Sequence, residues 1–186
     1  MPSHPSTYIL AEMASSHEGD PKIAKFIVES AARAKADGII FQLFDLDTYI
    51  IPSDGDYNDV KSVYMGQNEW KGIIETANSL GIEVWANVYD LKSAKFCRGK
   101  QIRGFKLHSS NLENEDLIYE VLQFKKDILL SVGGVTEKEI RKTLKSIYTI
   151  DKNVNIFLMY GLQNFPTDPE GLNLNFIRTL SSDLKL

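Results

Sequence analysis

Two ionisable residues of this chain lie where charge is costly. Glu12 ends an otherwise apolar run, Tyr8-Ile-Leu-Ala-Glu-Met13. A carboxylate there needs a partner or water, because burying it alone is expensive. It suits a group that binds substrate or handles a proton, and equally a structural pair with a lysine or a backbone N–H. Lys106 interrupts a second apolar run, Phe105-Lys-Leu-His-Ser109. An ammonium inside a strand must be paired or lose its proton. At the rim of a sheet it can bind an anion or form a Schiff base, whereas paired with Glu12 it would be structural. Ser109 could donate to a phosphate or carboxylate. Ser131 and the pair Gly133-Gly134 stand just before a helix start, where backbone N–H groups favour an anion. Gln42 and Gln163 add amides at the ends of further apolar runs.

Other residues read as structural. His4, His17 and His108 show no spacing of a metal site, and no Cys or carboxylate stands at ligand spacing around them. His4 belongs to a solvated terminus, His17 to the first βα loop, and His108 alternates with Lys106 on one strand face. The acidic stretch Asp45–Asp59 lacks the Asp-x-Asp-x-Asp-Gly order with a trailing Glu, and reads as a solvated loop rather than a calcium site. The lone Cys97 excludes an internal disulfide, suits a reducing compartment, and reads as a small hydrophobe near a helix end.

The elements that must position these groups alternate between short apolar strands and amphipathic helices. The first strand, Tyr8–Met13, is followed by a helix with Asp20 as N-cap and Pro21 at its first position. Its apolar face is Ile23, Ile27, Ala31 and Ala34, and Gly38 is its stop. The second strand, Ile39–Phe44, leads into a polar excursion from Asp45 to about Gly66, long enough to be a functional loop. The second helix spans Asn68–Leu80 and is capped by Gly81. Then come a strand at Ile82–Val88, a short helix at Leu91–Arg98, a strand at Phe105–Ser109 and a helix at Glu113–Phe124. The fifth strand is Ile128–Val132, and Thr136 with Glu139 forms the capping box of the fifth helix. The sixth strand is Val154–Tyr160, and a last helix runs Leu172–Leu180.

Near-continuous apolar strands alternating with helices predict a parallel sheet covered by helices. The Gly-x-Gly-x-x-Gly fingerprint of a dinucleotide fold is absent after the first strand. Polar residues instead recur at strand C-terminal ends: Glu12, Gln42, Asn87, Lys106 with Ser109, Ser131 and Gln163. A (β/α)₈ TIM barrel builds its active site on that rim, so the expectation is a barrel of which about six βα units are present, forming one domain over 1–186. Six units do not close an eight-stranded barrel, so exposed edges predict self-association as a homo-oligomer, such as a dimer that buries strands one and six. At 186 residues with a formal net charge of −4, the chain has no electrostatic footprint for nucleic acid. No apolar run approaches a membrane span and no signal peptide opens the sequence, so a cytoplasmic location is expected.

Taken together, these segments resemble the sialic acid (N-acetylneuraminate) synthase family. Ala11-Glu-Met-Ala-Ser-Ser-His-Glu-Gly-Asp20 resembles its A-E-I-G-x-N-H-x-G opening, and Phe41-Gln42 its K-F-Q. Phe105-Lys-Leu-His-Ser109 resembles K-I-x-S, and Ile128-Leu-Leu-Ser-Val-Gly133 with Thr136-Glu-Lys-Glu139 resembles I-L-S-T-G-M-A-T-x-x-E. Asn164-Phe-Pro-Thr-Asp-Pro169 resembles N-Y-P-T-P, and Leu172-Asn-Leu-Asn175 the V-N-L that follows it. The resemblance implies a barrel that condenses phosphoenolpyruvate with an N-acylated amino sugar, using a divalent metal such as manganese or magnesium. It would place Lys106, Ser109 and Ser131 on the phosphoenolpyruvate carboxylate and phosphate, with Lys106 and Glu12 as the catalytic pair. Glu12 and Gln42 would hold sugar hydroxyls, with Gln163 and Phe165 also at the substrate.

The departures are specific. Ile40 stands where the family has a second phosphate-binding lysine, and Asn111 where it has an acid after strand four. Asn87 replaces a threonine and Gln163 an asparagine. The family's metal histidines belong to strands seven and eight, which this sequence does not contain, so no complete metal site is expected from it; a C-terminal antifreeze-like domain is missing too. The alternative expectation is a non-catalytic, degenerate synthase-like protein that binds ligand or acts as a scaffold in a surface-polysaccharide pathway.

Overall fold

A computed structural model describes residues 7–164 and 166–184. Six parallel strands form one sheet in the order β1-β2-β3-β4-β5-β6. Strand order that never reverses is the arrangement of a (β/α)₈ barrel, whereas a doubly wound sheet reverses at a switch point. The fold is thus of the barrel type, with six of its units. The chain packs as two compact units, one through Phe105 and one from Lys106 onward. Among the described residues no helix is long and apolar enough to cross a membrane.

In the first unit, β1 (Leu10–Glu12) pairs with β2 (Gly38–Leu43), and β2 with β3 (Glu83–Val88). Gly38 to Phe41 and Leu43 are all buried, as expected of a strand covered on both faces. Helix α1 (Pro21–Arg33) starts as its sequence demands, Asp20 accepting the Lys22 N–H at 2.7 Å. Its buried line, however, is Ala24 and Val28, while Ile23 and Ala34 are exposed. The helical period was right and the phase was not. Periodicity fixes how often a helix turns a residue inward, and the neighbour it packs on fixes which residues those are. Nor is Gly38 the helix stop. The helix ends at Arg33 with Ala34 as its C-cap, Lys35 takes φ 61°, and Gly38 opens β2, where a Cβ would stand 2.5 Å from the Tyr8 hydroxyl.

The segment after β2 holds two short helices, α2 (Leu46–Tyr49) and α3 (Tyr57–Ser62), before α4 (Gln67–Ser79). Helix α4 buries Trp70, Ile73, Ile74 and Ala77, and the Trp70 ring lies 5.4 Å from Phe41. Helix α5 (Leu91–Phe96) follows β3. At the opposite end of these strands Tyr8 donates to Glu83 Oε2 at 2.7 Å and accepts from the Trp85 indole at 2.8 Å.

Strand β4 (Gly104–Leu107) supplies Lys106 and Leu107 to the second unit. A 3₁₀ turn (Ser109–Asn111), α6 (Glu115–Leu122), β5 (Asp127–Ser131), α7 (Glu137–Ile150), β6 (Ile156–Met159) and α8 (Asn175–Leu184) complete it. The capping box of α7 is present as read: the Thr136 hydroxyl accepts the Glu139 N–H and Glu139 Oε2 accepts the Thr136 N–H at 2.6 Å. His108 does not share a strand face with Lys106, because β4 stops at Leu107. It caps the 3₁₀ turn instead, its Nδ1 lying 3.0 Å from the Ser110 hydroxyl. The run Ser-Ser-Asn favours that outcome, since short polar side chains bond nearby backbone and compete with strand pairing.

Candidate functional site

The second unit gathers several residues suited to an anion. Gln163 leaves the end of β6 and donates through Nε2 to the Ser109 hydroxyl at 3.0 Å and to the Gly133 carbonyl at 3.4 Å. One side chain thus ties the turn after β4, the turn after β5 and the segment after β6. The bond from Gln163 falls on a lone pair of Ser109 and does not use the hydroxyl proton, which stays available for donation. Ser131 closes β5 opposite Met159, and the next residue, Val132, donates its N–H to Met159 O at 3.0 Å. Gly133 then passes so close to β6 that a Cβ would overlap the Gly161 carbonyl oxygen. Only glycine fits there. Lys106 is half-buried in β4, and after burial its charge is the second cause that pushes the His108 imidazole below its ordinary range. His108 is therefore neutral at pH 7.

The first unit carries a polar set of different character. Glu12 ends β1 opposite Ile40, and its Oε1 accepts the Ala14 N–H at 3.3 Å, the kind of backbone partner its position called for. Two residues beyond Ile40, Gln42 lies directly opposite Asn87 of β3. Paired residues of parallel strands point to one face, so Glu12, Gln42 and Asn87 share a side of the sheet. Asn87 is 1% exposed; its Nδ2 donates to the Tyr89 hydroxyl at 3.1 Å, while its Oδ1 has no partner among the described residues. An orphaned buried acceptor costs about 1–3 kcal/mol. Burial, then the neighbouring Tyr49 and to a lesser extent Glu12, push the Tyr89 hydroxyl up to about 12, so it stays protonated. Tyr49 stands edge-on to Tyr89 at 5.2 Å and against Phe44 at 4.5 Å.

Asp45 corrects the reading of the acidic stretch. It is 8% exposed and ion-paired with Lys92, and its N–H donates to Asp90 Oδ2 at 2.7 Å. Asp90 in turn caps α5 through the Ser93 N–H at 2.8 Å. The loop after β2 is thereby pinned to the loop after β3, and only the later acids, Asp47, Asp54, Asp56 and Asp59, are solvated. Sequence reasoning missed this pin and the Asn87–Tyr89 pair. The available signal was the aromatics Phe44 and Tyr89 placed just past two strands.

The residues read as structural hold that role. His17 is 4% exposed, accepts the Gly19 N–H at 3.1 Å and meets Trp70 edge-on at 5.4 Å. Cys97 caps the end of α5, and burial pushes its thiol up to about 12, which leaves it unreactive. Ile40 is 1% exposed and Asn111 is buried in the 3₁₀ turn, so an aliphatic group and a neutral amide occupy those two places. Phe165 and His4 lie outside the described residues. No three His, Cys, Asp or Glu side chains among the described residues cluster as metal ligands.

A family model described as NeuB family matches residues 27–186. An uncharacterized protein of Methanocaldococcus jannaschii is 30% identical over 178 residues, covering 95% of this chain and 52% of that protein. The N,N'-diacetyllegionaminic acid synthase of Legionella pneumophila is 26% identical over 196 residues, covering 96% of this chain and 55% of the synthase. Among solved structures, the N-acetylneuraminic acid (sialic acid) synthetase of Leptospira borgpetersenii in complex with citrate superposes with a TM-score of 0.88 at 23% identity. That match covers 96% of this chain and 62% of the synthetase, and it speaks to the fold. The chain spans about half the length of the curated relatives it matches.

Proposed function

The chain belongs to the NeuB family, and on that premise we propose that it serves a phosphoenolpyruvate-dependent condensation that extends an N-acylated amino sugar into a nonulosonic (sialic-type) acid. The observation that supports this most directly is the Gln163 bridge, because it draws Ser109 and the Gly133 turn, both assigned to the anion by their sequence pattern, into one cluster of the second unit. Lys106 supplies positive charge, Ser109 and Ser131 supply hydroxyl donors, and the carboxylate and phosphate of phosphoenolpyruvate are the matching acceptors. Glu12 and Gln42 of the first unit, with an acceptor and an amide on one sheet face, suit sugar hydroxyls.

In the reaction, C3 of phosphoenolpyruvate attacks the aldehyde carbon of the open-chain sugar and forms the new C–C bond. The aldehyde oxygen takes a proton and becomes a hydroxyl. Water adds to C2 and loses a proton, and the tetrahedral carbon then expels inorganic phosphate, leaving the 2-keto acid. The described side chains do not make a ligand set for the divalent ion that the resemblance implies.

Ile40 and Asn111 favour a second reading, binding of the same ligands without turnover. Loss of one electrostatic donor typically lowers a rate by about 10²–10³. Calorimetric titration with phosphoenolpyruvate, with and without manganese, tests both readings. The Lys106→Ala variant should weaken binding at least about tenfold, equivalent to ~1.4 kcal/mol, and the wild-type affinity should fall with added salt. Phosphate release on adding N-acyl amino sugars would select turnover; binding without release would select the second reading. Equal affinity of wild type and variant, or no binding by either, removes both.

A further inference from the structure

The orphaned amide of the first unit is the feature that neither the anion cluster nor the reaction scheme uses. Asn87 is as buried as the core around it, at 1% exposure, yet its Oδ1 has no partner among the described residues. Buried polar atoms are almost always bonded, and an exception marks either a defect or a site that awaits a donor. Three observations favour the site. The amide is held by its other end, Nδ2 donating to the Tyr89 hydroxyl at 3.1 Å, and Tyr89 is itself packed edge-on against Tyr49 at 5.2 Å. Asn87 lies opposite Gln42 in the register, and Glu12, opposite Ile40, shares their sheet face. Among the described residues neither Gln42, whose amide carries N–H donors, nor Tyr89, whose oxygen receives the Asn87 N–H, donates to Oδ1, and the Glu12 carboxylate has no proton to give.

We infer that Asn87 is a specificity-determining residue whose carbonyl oxygen accepts a hydrogen bond from an N–H or O–H donor on the polyhydroxylated ligand. This rests on the reading above, in which the first unit takes the amino sugar. A ligand that brings the donor relieves the orphan, and one that lacks it leaves the orphan buried. Sites built this way discriminate strongly, because the wrong ligand leaves a desolvated group unpaired. An aliphatic side chain of the same volume would accept both ligands alike.

The test is a titration of wild type, Asn87→Leu and Asn87→Thr with N-acetylmannosamine and with mannose, which differ in presenting an amide N–H or a hydroxyl at one carbon. An unchanged urea-unfolding midpoint of each variant reports that the first unit, which holds Asn87, is folded. Asn87→Leu should weaken the sugar that supplies the donor at least about tenfold, and Asn87→Thr, which keeps an acceptor oxygen, should weaken it less. Loss confined to N-acetylmannosamine identifies the amide N–H as the donor, and equal loss for both sugars identifies a hydroxyl. Unchanged sugar affinity in Asn87→Leu overturns the inference and leaves the orphan a packing defect. Wild type that binds phosphoenolpyruvate but neither sugar also overturns it while the anion half of the reading stands; absence of phosphoenolpyruvate binding as well removes both.

Discussion

Both units set partly exposed polar side chains at the C-terminal ends of their strands, Glu12 and Gln42 in the first among them. The first unit also holds polar groups at that end that are almost fully shut off from water. In the first unit Asn87, Asp45 and His17 are 1%, 8% and 4% exposed, and each is held by a bond, an ion pair or a ring. In the second, Lys106, Ser109 and Ser131 are half-buried and Gln163 is exposed. Buried hydrogen bonds are strong and fix geometry, and any member left unpaired is costly. A half-exposed cluster instead depends on charge that salt screens. The contrast matches the two ligands proposed: a neutral polyol must be read atom by atom, whereas a phosphate is drawn by charge.

If rigidity of the first unit comes from its core, a cavity there should cost the most. Phe41 is 0% exposed on β2 and packs on Trp70, so Phe41→Ala should destabilise the chain by about 3–5 kcal/mol in urea titration. A loss below ~1 kcal/mol would break the contrast, since it would mean that the first unit relaxes freely.

The second unit is tested by Gly133→Ala, which forces a methyl into the Gly161 carbonyl. Overpacking of this kind costs about 1–3 kcal/mol, and phosphoenolpyruvate affinity should fall with it, because the same turn is held by Gln163. Unchanged stability and binding would show that the turn is free to move and that the cluster is not preorganised.

The smallest effect sharpens the comparison through pH. Thr136→Ala removes the N-cap of α7 and should cost ~1 kcal/mol at neutral pH. The Thr136 hydroxyl and then its backbone N–H hold the Glu139 carboxyl below its ordinary range. An acid depressed in the folded state stabilises above its unfolded pKa and loses that contribution as pH falls through the folded value. The gap between wild type and variant in thermal melts should therefore shrink as pH falls below about 4.3. A gap that stays constant to pH 3 would assign the cap to the hydroxyl alone.

Much of the fold was legible in the residues. The capping box at Thr136 and Glu139 and the Asp20-Pro21 helix start appear where they were read, and the six apolar strands appear in βα order, β1 shorter than read and β4 ending two residues early. The caps are set by bonds within a few residues and the strands announce themselves by short apolar runs, so local pattern suffices. Of the candidate site, Ser109 and Gln163 were nameable from strand ends, but their contact was not, since they are 54 positions apart. The α1 face was misphased because periodicity says how often residues are buried and not which neighbour they meet.

What the sequence determined by itself, then, was the order of elements, their caps and the residue types at each strand end, all products of short-range backbone chemistry and hydrophobic period. What only the tertiary structure decided was pairing at a distance: Asp45 with Lys92, Gln163 with Ser109, and the buried Asn87 whose Oδ1 has no partner among the described residues. Those outcomes depend on strand register and on how closely helices approach the sheet. A shift of one residue in register turns every side chain to the opposite face, and no local pattern encodes the partner it would then meet.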